Sequence, residues 1–316
     1  MSTPRGPRRP YRKHRERPPE HDRPGLQLQP RDFEILQSLH TNRFLTFGLL
    51  LSLFPPDPSR TPAHVRTDRP KAAGSNLARR LQKLFAHELV DRLRLVTGGE
   101  LIYALAQPGL ELLQSRQADL FSPSNLHQLN REAKSVSIEH TLMEARLRVA
   151  LVVASREAQR VKLEHFEREG PALHAAWERA GIGRCYINPD ARFCLSEDGK
   201  VLHFLVECDR GSMGLPRLRF KLRNLAYFYE DRQHQRAFGI PGFRVLTITQ
   251  SAQRASNLLD LVATDDAISP RLKQMFLFTT ERAYREQPSN LFSAIWRAGD
   301  NPDQRSAIVG SPLPRR

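Results

Sequence analysis

The sequence predicts a mixed α/β protein of two domains: a small helical unit closed by a β-hairpin, then a larger unit whose sheet is parallel in part. Three observations predict it. At 316 residues the chain exceeds the roughly 100 to 200 residues of a single core. Between Arg31 and the PGLELL run apolar residues recur at helical spacing around one hairpin signal, whereas beyond Cys185 strand-like runs alternate with helix-like ones. Lys plus Arg outnumber Asp plus Glu by 49 to 34, which favours a polyanionic partner, nucleic acid first.

Residues 1–27 read as a disordered basic tail. Up to residue 25 they hold eight Lys/Arg, three acids and six prolines, too polar a mixture to bury a core. No run approaches the roughly 20 apolar residues of a membrane helix, and the start lacks the apolar stretch of a signal peptide, so a cytoplasmic protein without a membrane partner is expected. Cys185, Cys194 and Cys208 lack paired close spacing and read as reduced thiols, without zinc.

A first domain is expected over residues 28–118. Phe33, Leu36 and Leu39, then Phe44, Phe47 and Leu50, predict two short helices on either side of His40-Thr41-Asn42. The stretch FPPDPSRTPAHVRTDRPKAAG is too proline-rich for a helix. SNLARRLQKLFAHELV is amphipathic, with Leu77, Leu81, Leu84 and Phe85 on one face, Arg79, Arg80 and Lys83 towards solvent, and Ser75 or Asn76 as its cap. VDRLRLV and LIYALA flank TGGE, a Gly-containing hairpin, and PGLELL restarts a helix with Pro in its first turn. Helix, helix, basic helix and two-stranded wing is the order of a winged helix-turn-helix, whose third helix enters the major groove. Ser75, Asn76, Arg79, Arg80 and Lys83 on that helix, Arg92 and Arg94 on the wing, and Arg210 further on are therefore the candidate DNA-binding residues.

Residues 119–135 read as a linker, 136–300 as the second domain and 301–316 as a flexible tail. The second domain opens with the long helix IEHTLMEARLRVALVVASREAQR. VKLEHFERE is ambiguous. Strands then follow around CYINPDARFCL and VLHFLVECD, a helix near 215–232, the strand FRVLTITQ, a helix near 251–262 and the strand MFLFTT. Neither GKS/T nor GxGxxG occurs, so no nucleotide loop is indicated.

Asp198-Gly199 inside SEDGK is a two-residue hairpin signal. With that dipeptide as the turn, residues whose numbers sum to 397 face each other: Glu197 with Lys200, Leu195 with Leu202, Asp190 with Glu207. Asp209, two residues beyond Glu207, points to the same side. Three converging carboxylates repel unless a cation joins them, and hard oxygen donors suit Mg²⁺ or Mn²⁺. Such an ion could hold a scissile phosphate and stabilise the charge of phosphodiester cleavage. In LPRLRFKLRNLAYFYE the residues Leu215, Leu218, Leu222, Leu225 and Tyr229 form the buried stripe, with Lys221 on its border, able to reach the strand mouth. Tyr227 and Tyr229 are the hydroxyls that could serve as nucleophile, Tyr229 being on the stripe. His140 and His203 read as structural.

PDARF, HFLVECDRGS and RFKLRNLAYFYE resemble the replication-relaxation family of plasmids and integrative elements, over roughly residues 30–300. That pattern is in turn similar to the PD-(D/E)XK restriction-nuclease fold, in which an acid on one strand and E-x-K on the next bind metal. Asp190 and Glu207 match the acids. Asp209 stands where the usual lysine would be, and Lys221 on the next helix is the substitute, as in some members. The resemblance implies catalytic roles for Asp190, Glu207, Asp209 and Lys221, Mg²⁺ or Mn²⁺ on the three acids, and nicking like that of restriction-fold mobilisation relaxases. The expected function is DNA binding in plasmid or mobile-element replication or mobilisation, with metal-dependent nicking at an origin. The alternative is a non-enzymatic initiator, accessory factor or transcriptional regulator with a degenerate nuclease-like domain. Expected partners are double-stranded DNA, replication or transfer proteins, and a second copy of the chain as a homodimer.

Overall fold

The computed structural model describes residues 17–56, 70–95, 99–117, 130, 133–168 and 170–310. The basic tail up to residue 16, the hairpin turn around Thr97 and most of the expected linker lie outside the described residues. The protein is mixed α/β and divides into two compact units, residues Met1–Ala145 and Arg146–Arg316.

In the first unit α1 spans Pro30–Asn42, with proline in its first turn and a reciprocal cap between Gln29 and Asp32. It runs through the expected turn at His40-Thr41-Asn42, and the chain reverses at Arg43, whose φ is 63°. Phe44 does not begin a second helix. Phe44–Thr46 form strand β1, because they pair antiparallel with a later strand, and α2 (Phe47–Leu53) starts after Thr46, whose hydroxyl caps it. Tertiary pairing here overrides the helical period.

α3 spans Pro70–Ala86 and so starts five residues before Ser75: the last proline of the PP-rich stretch opens the helix instead of excluding it. Leu77, Leu81, Leu84 and Phe85 are buried as expected. β2 (Val90–Leu93) and β3 (Ile102–Leu105) pair antiparallel, giving the three-stranded order β1-β3-β2, and α4 spans Gln107–Gln114. Gly109 sits in α4 because an added Cβ would lie 2.2 Å from the Leu89 carbonyl oxygen and 2.8 Å from Leu105 Cδ1. Gly109→Ala is therefore expected to destabilise this unit by about 1–3 kcal/mol, seen as a lower urea midpoint; an unchanged midpoint would show that α4 shifts freely.

α5 spans Ser135–Glu157 and crosses the division at Ala145, so the second domain does not begin at 136. Its first half is apolar on the face that buries Ile138 and Leu142 with Phe44, Ile102 and Ala104, and Leu147, Val149, Ala150 and Leu151 are buried in its second half.

The second unit is built on a seven-stranded sheet. β4 (Val161–Arg168) settles the ambiguous VKLEHFERE as a strand. CYINPDARFCL becomes two strands in different sheets: β5 (Ala175–Arg179) and β6 (Gly183–Ile187) form a separate hairpin, and β7 (Ala191–Glu197) starts after Pro189, which has no N–H for a ladder. There follow β8 (Lys200–Asp209), α6 (Leu215–Glu230), α7 (Gln233–Phe238), β9 (Arg244–Thr249), α8 (Ala252–Ala263), α9 (Pro270–Lys273), β10 (Phe276–Thr280), α10 (Arg282–Arg285), β11 (Trp296–Ala298) and β12 (Asn301–Ser306). The order is β12-β11-β10-β9-β8-β7-β4, with β8, β9 and β10 parallel and the remaining pairs antiparallel. Residues 301–306 are thus an edge strand rather than a tail, and Ile308 beyond them is fully buried.

Strand alternation sorts the two faces. Leu205 and Val245 join Leu218, Leu222, Leu225, Leu258 and Leu259 of α6 and α8 in one core cluster. On the other face Phe166, Phe193 and Phe204 stack across β4, β7 and β8, with centroids 6.1 and 4.7 Å apart.

Candidate functional site

The β7–β8 turn sets the geometry. Asp198 and Gly199 both have positive φ, 47° and 80°, the condition for a two-residue turn that matches strand twist. The ladder runs from Glu197 opposite Lys200 to Ala191 opposite Val206. Asp190 lies just past its end. Its N–H donates to the Val206 carbonyl at 2.9 Å, and its Oδ2 accepts from the Cys208 N–H at 2.7 Å, so its side chain is folded over the mouth of β8. Glu207 is only 4% exposed. From the second turn of α6 the Lys221 ammonium meets Glu207 Oε2 and lies 3.8 Å from Asp190 Oδ1. Burial works against the ammonium, but Glu207 and Asp190 outweigh it and hold the Lys221 pKa above the ordinary lysine value. The structure therefore brings Asp190, Glu207 and Lys221 together.

Asp209 does not join them. Its Oδ2 pairs with Arg254 Nε at 2.6 Å, its Oδ1 accepts the Gly211 N–H at 3.1 Å, and Arg254 also donates to the Met213 carbonyl at 2.6 Å. The expected convergence of three carboxylates is replaced by two acid–base groups, and among the described residues no set of three or more His, Cys, Asp and Glu side chains is placed to hold a metal. Arg210, just past the end of β8, lies near Glu281, with burial lowering its pKa and Glu281 opposing that shift. Arg254 was invisible to sequence reasoning, because no local pattern ties it to a residue 45 positions upstream.

Other expectations for α6 are revised. Leu215 is 38% exposed in the first turn, and the buried stripe is carried by Leu218, Leu222 and Leu225 with Asn224, Ala226, Tyr227 and Phe228. Tyr227, not Tyr229, is the more buried hydroxyl; the Arg179 guanidinium lies 4.1 Å above the Tyr227 ring, and Tyr229 stacks on His234. Arg223 pairs with Asp265 at 2.7 and 2.8 Å, and Arg217 is exposed. His140 contacts Glu144 at 3.1 Å, and burial, then Arg192, lowers the His203 pKa. All three cysteines are free thiols; Cys194 is half-buried and the others buried.

A family model described as replication-relaxation matches residues 36–242. The chain belongs to the replication-relaxation family. The matched residues include Asp190, Glu207, Asp209 and Lys221 but stop short of Arg254. No curated protein and no solved structure matches the chain. Membership in the replication-relaxation family points to a role in replication or mobilisation, with DNA or replication-related partners. No described helix is long and apolar enough to cross a membrane.

In this family member the basic helix is only partly available. Asn76 and Arg79 face solvent on α3. Arg80 does not: its guanidinium is bonded to both carboxylate oxygens of the fully buried Asp32 and to the Gln27 carbonyl at 2.6 Å. Lys83 donates to the Gly25 carbonyl at 2.8 Å, and His87 Nε2 lies 2.8 Å from the Pro24 carbonyl. Residues 17–29 thus run antiparallel along one flank of α3, fixed at the far end by Arg17, which donates to Phe85 O and Asp91, and by Arg23 on Glu88. This segment was expected as tail up to residue 27. On the wing, Arg92 lies over the Phe85 ring at 4.3 Å and the Tyr103 ring at 5.6 Å, and Arg94 is half-buried. Ser75 lies inside the helix and is not its cap. The sign in the sequence was Asp32, three residues after Gln29 and ahead of an apolar run, which marks a cap but not a partner 48 residues away.

Proposed function

We propose that this protein binds double-stranded DNA through α3 and the β2–β3 wing and nicks it with the Asp190, Glu207 and Lys221 group. The observation that supports this most directly is the Lys221 ammonium set between two carboxylates of adjoining strand ends at the mouth of β8. An acid before one strand, an acid on the next and a lysine from the following helix make up the acid and base set of a restriction-nuclease-like site.

Two carboxylates suit Mg²⁺ or Mn²⁺, which bind one or two carboxylates and complete their shells with water and phosphate. Asp190 and Glu207 would hold the ion, and bound there it supplies Lewis-acid stabilisation of the phosphoryl charge. Lys221 leaves its place between the acids to donate to a phosphate oxygen, where a positioned ammonium stabilises developing negative charge. Asp190 is oriented by the Cys208 N–H. Asp209, tied to Arg254, takes no part in holding the ion and fixes the loop after β8 to α8.

The test uses supercoiled plasmid carrying the candidate origin, with Mn²⁺. Wild type is expected to convert it to the open circle, and Asp190→Ala and Glu207→Ala to bind without converting it. If all three proteins only shift the plasmid, the enzymatic reading fails. The non-enzymatic reading, an initiator, accessory factor or regulator, is favoured by one observation: Asp209 stands where E-x-K places lysine and is committed to Arg254.

The geometry of α3 divides its cations. Arg79→Ala is expected to weaken duplex binding and to lower the slope of log K against log salt by about 1, whereas Lys83→Ala, whose ammonium is bonded to Gly25, leaves the slope within about 0.3 of wild type. Fluorescence anisotropy over a salt series reads both; equal slopes for the two variants would return Lys83 to the DNA face.

A further inference from the structure

The second unit contains a cationic pocket that the nicking reading does not use. It is a cavity of about 360 Å³ between the second half of α5 and β4, lined by Arg148, Ser155, Arg156, Lys162, His165 and Phe166 among others. That is near the lower end of small-ligand sites, about 300–1,000 Å³. It belongs to the sheet face of Phe166 and Phe193, opposite the face of Leu205 and Glu207 by strand alternation, so it is not an extension of the carboxylate group.

Arg148 is the anomaly in this pocket. Its guanidinium sits 5.8 Å from the centre of the Phe166 ring, its Nε is buried and has no hydrogen-bond partner, and no described carboxylate forms an ion pair with it. Ser155 Oγ, about two turns along the same helix, is likewise buried without a partner. Arg148 is half-buried, and a donor nitrogen withdrawn from water is costly unless an acceptor meets it. Here burial and then Arg168 both lower its pKa, so the protein itself opposes its charge. The acid on the lining, Glu164, accepts a hydrogen bond from Ser196 instead.

We infer that this pocket binds a phosphate ester, with Arg148 and Ser155 donating to the phosphate oxygens from the pocket wall and Arg156 of the same helix beside them. Phosphate fits better than a single carboxylate because two arginines of one helix, Arg148 and Arg156, line the cavity, and a planar guanidinium grips phosphate oxygens in pairs. The volume leaves room for the group that carries the phosphate, and Phe166 offers that group an apolar wall. The ester comes either from the DNA backbone or from a free nucleotide.

The experiment titrates the full chain with inorganic phosphate and with deoxyadenosine monophosphate by calorimetry, and with a short labelled duplex by anisotropy, for wild type, Arg148→Met and Ser155→Ala. Methionine keeps the apolar stem and removes the charge. Binding of either small molecule that weakens by about tenfold or more in Arg148→Met supports a free phosphate ester. Duplex binding that weakens by the same factor, with no uptake of the small molecules, supports the DNA backbone. Unchanged affinities, within about twofold, for all three probes in the folded Arg148→Met protein overturn the inference. Should Arg148→Met not fold, Ser155→Ala and Arg156→Ala carry the same comparison, and phosphate must raise the wild-type melting temperature more than theirs. Nicking is not among the readouts, so failure of the nuclease reading and failure of this one are separately visible.

Discussion

Arg80→Met is expected to destabilise the first unit by about 3–5 kcal/mol, because it strands a carboxylate that has no water to turn to. Asp32 is 0% exposed, and both its oxygens are taken by the Arg80 guanidinium. Its Oδ2 also accepts the Gln29 N–H at 2.6 Å, which caps α1 but does not neutralise the charge. For a unit of this size each kcal/mol moves the melting temperature by about 2–4 °C, so the loss is large enough to separate from noise by circular dichroism. The double variant Asp32→Leu with Arg80→Met removes both charges and is expected to recover most of the loss, since apolar replacement of a whole buried pair is often nearly neutral. A single variant as stable as wild type would mean that Asp32 reaches water. The result also bears on DNA binding: a charge with this structural duty is not available to read a groove, and weakened binding by Arg80 variants has to be divided by the fraction folded.

Lys221→Met is the second large effect. It leaves Glu207 and Asp190 facing each other without the ammonium, at an expected cost of about 3–5 kcal/mol in metal-free buffer and a loss of nicking of about 10²-fold or more. The two acids then form an anionic cleft open to a cation. Addition of Mn²⁺ is expected to restore stability, by about 2.7 kcal/mol at a hundred times the dissociation constant. Wild type gains less, because the ion competes with Lys221 there. Thermal melts over a Mn²⁺ series read this without any nuclease assay. A Lys221→Met protein whose melting temperature ignores Mn²⁺, while Asp190→Ala behaves the same, would remove the metal from this site.

Much of the second unit was legible because its signals are local. The Asp198-Gly199 turn needs positive φ at two adjacent residues, and once that turn is in place the antiparallel register follows by counting, down to Asp190 against the end of β8. Alternation also placed Glu207 on the α6 face, where Lys221 meets it. The same counting put Asp209 on that face and could go no further, since which cation would meet it depended on where α8 packs.

In the first unit the helical period placed Leu77, Leu81 and Leu84 correctly and misread Phe44, whose hydrogen bonds go to a strand that lies 58 residues further on. The solvent face assigned to Arg80 and Lys83 failed for a related reason. Periodicity counts apolar residues and is blind to a polar segment, here residues 17–29, that lies along the flank of a helix and accepts its donors through backbone carbonyls.

By itself, then, the amino-acid order determined the mixed α/β class, the β7–β8 register and the meeting of position 190 with position 207, because turn dihedrals and strand alternation are properties of adjacent residues. Only the tertiary structure decided which cation meets each acid: Lys221 for Asp190 and Glu207, Arg254 for Asp209, Arg80 for Asp32. Charge pairing acts through space between side chains whose separation along the chain carries no information, and burial makes it strong where it occurs.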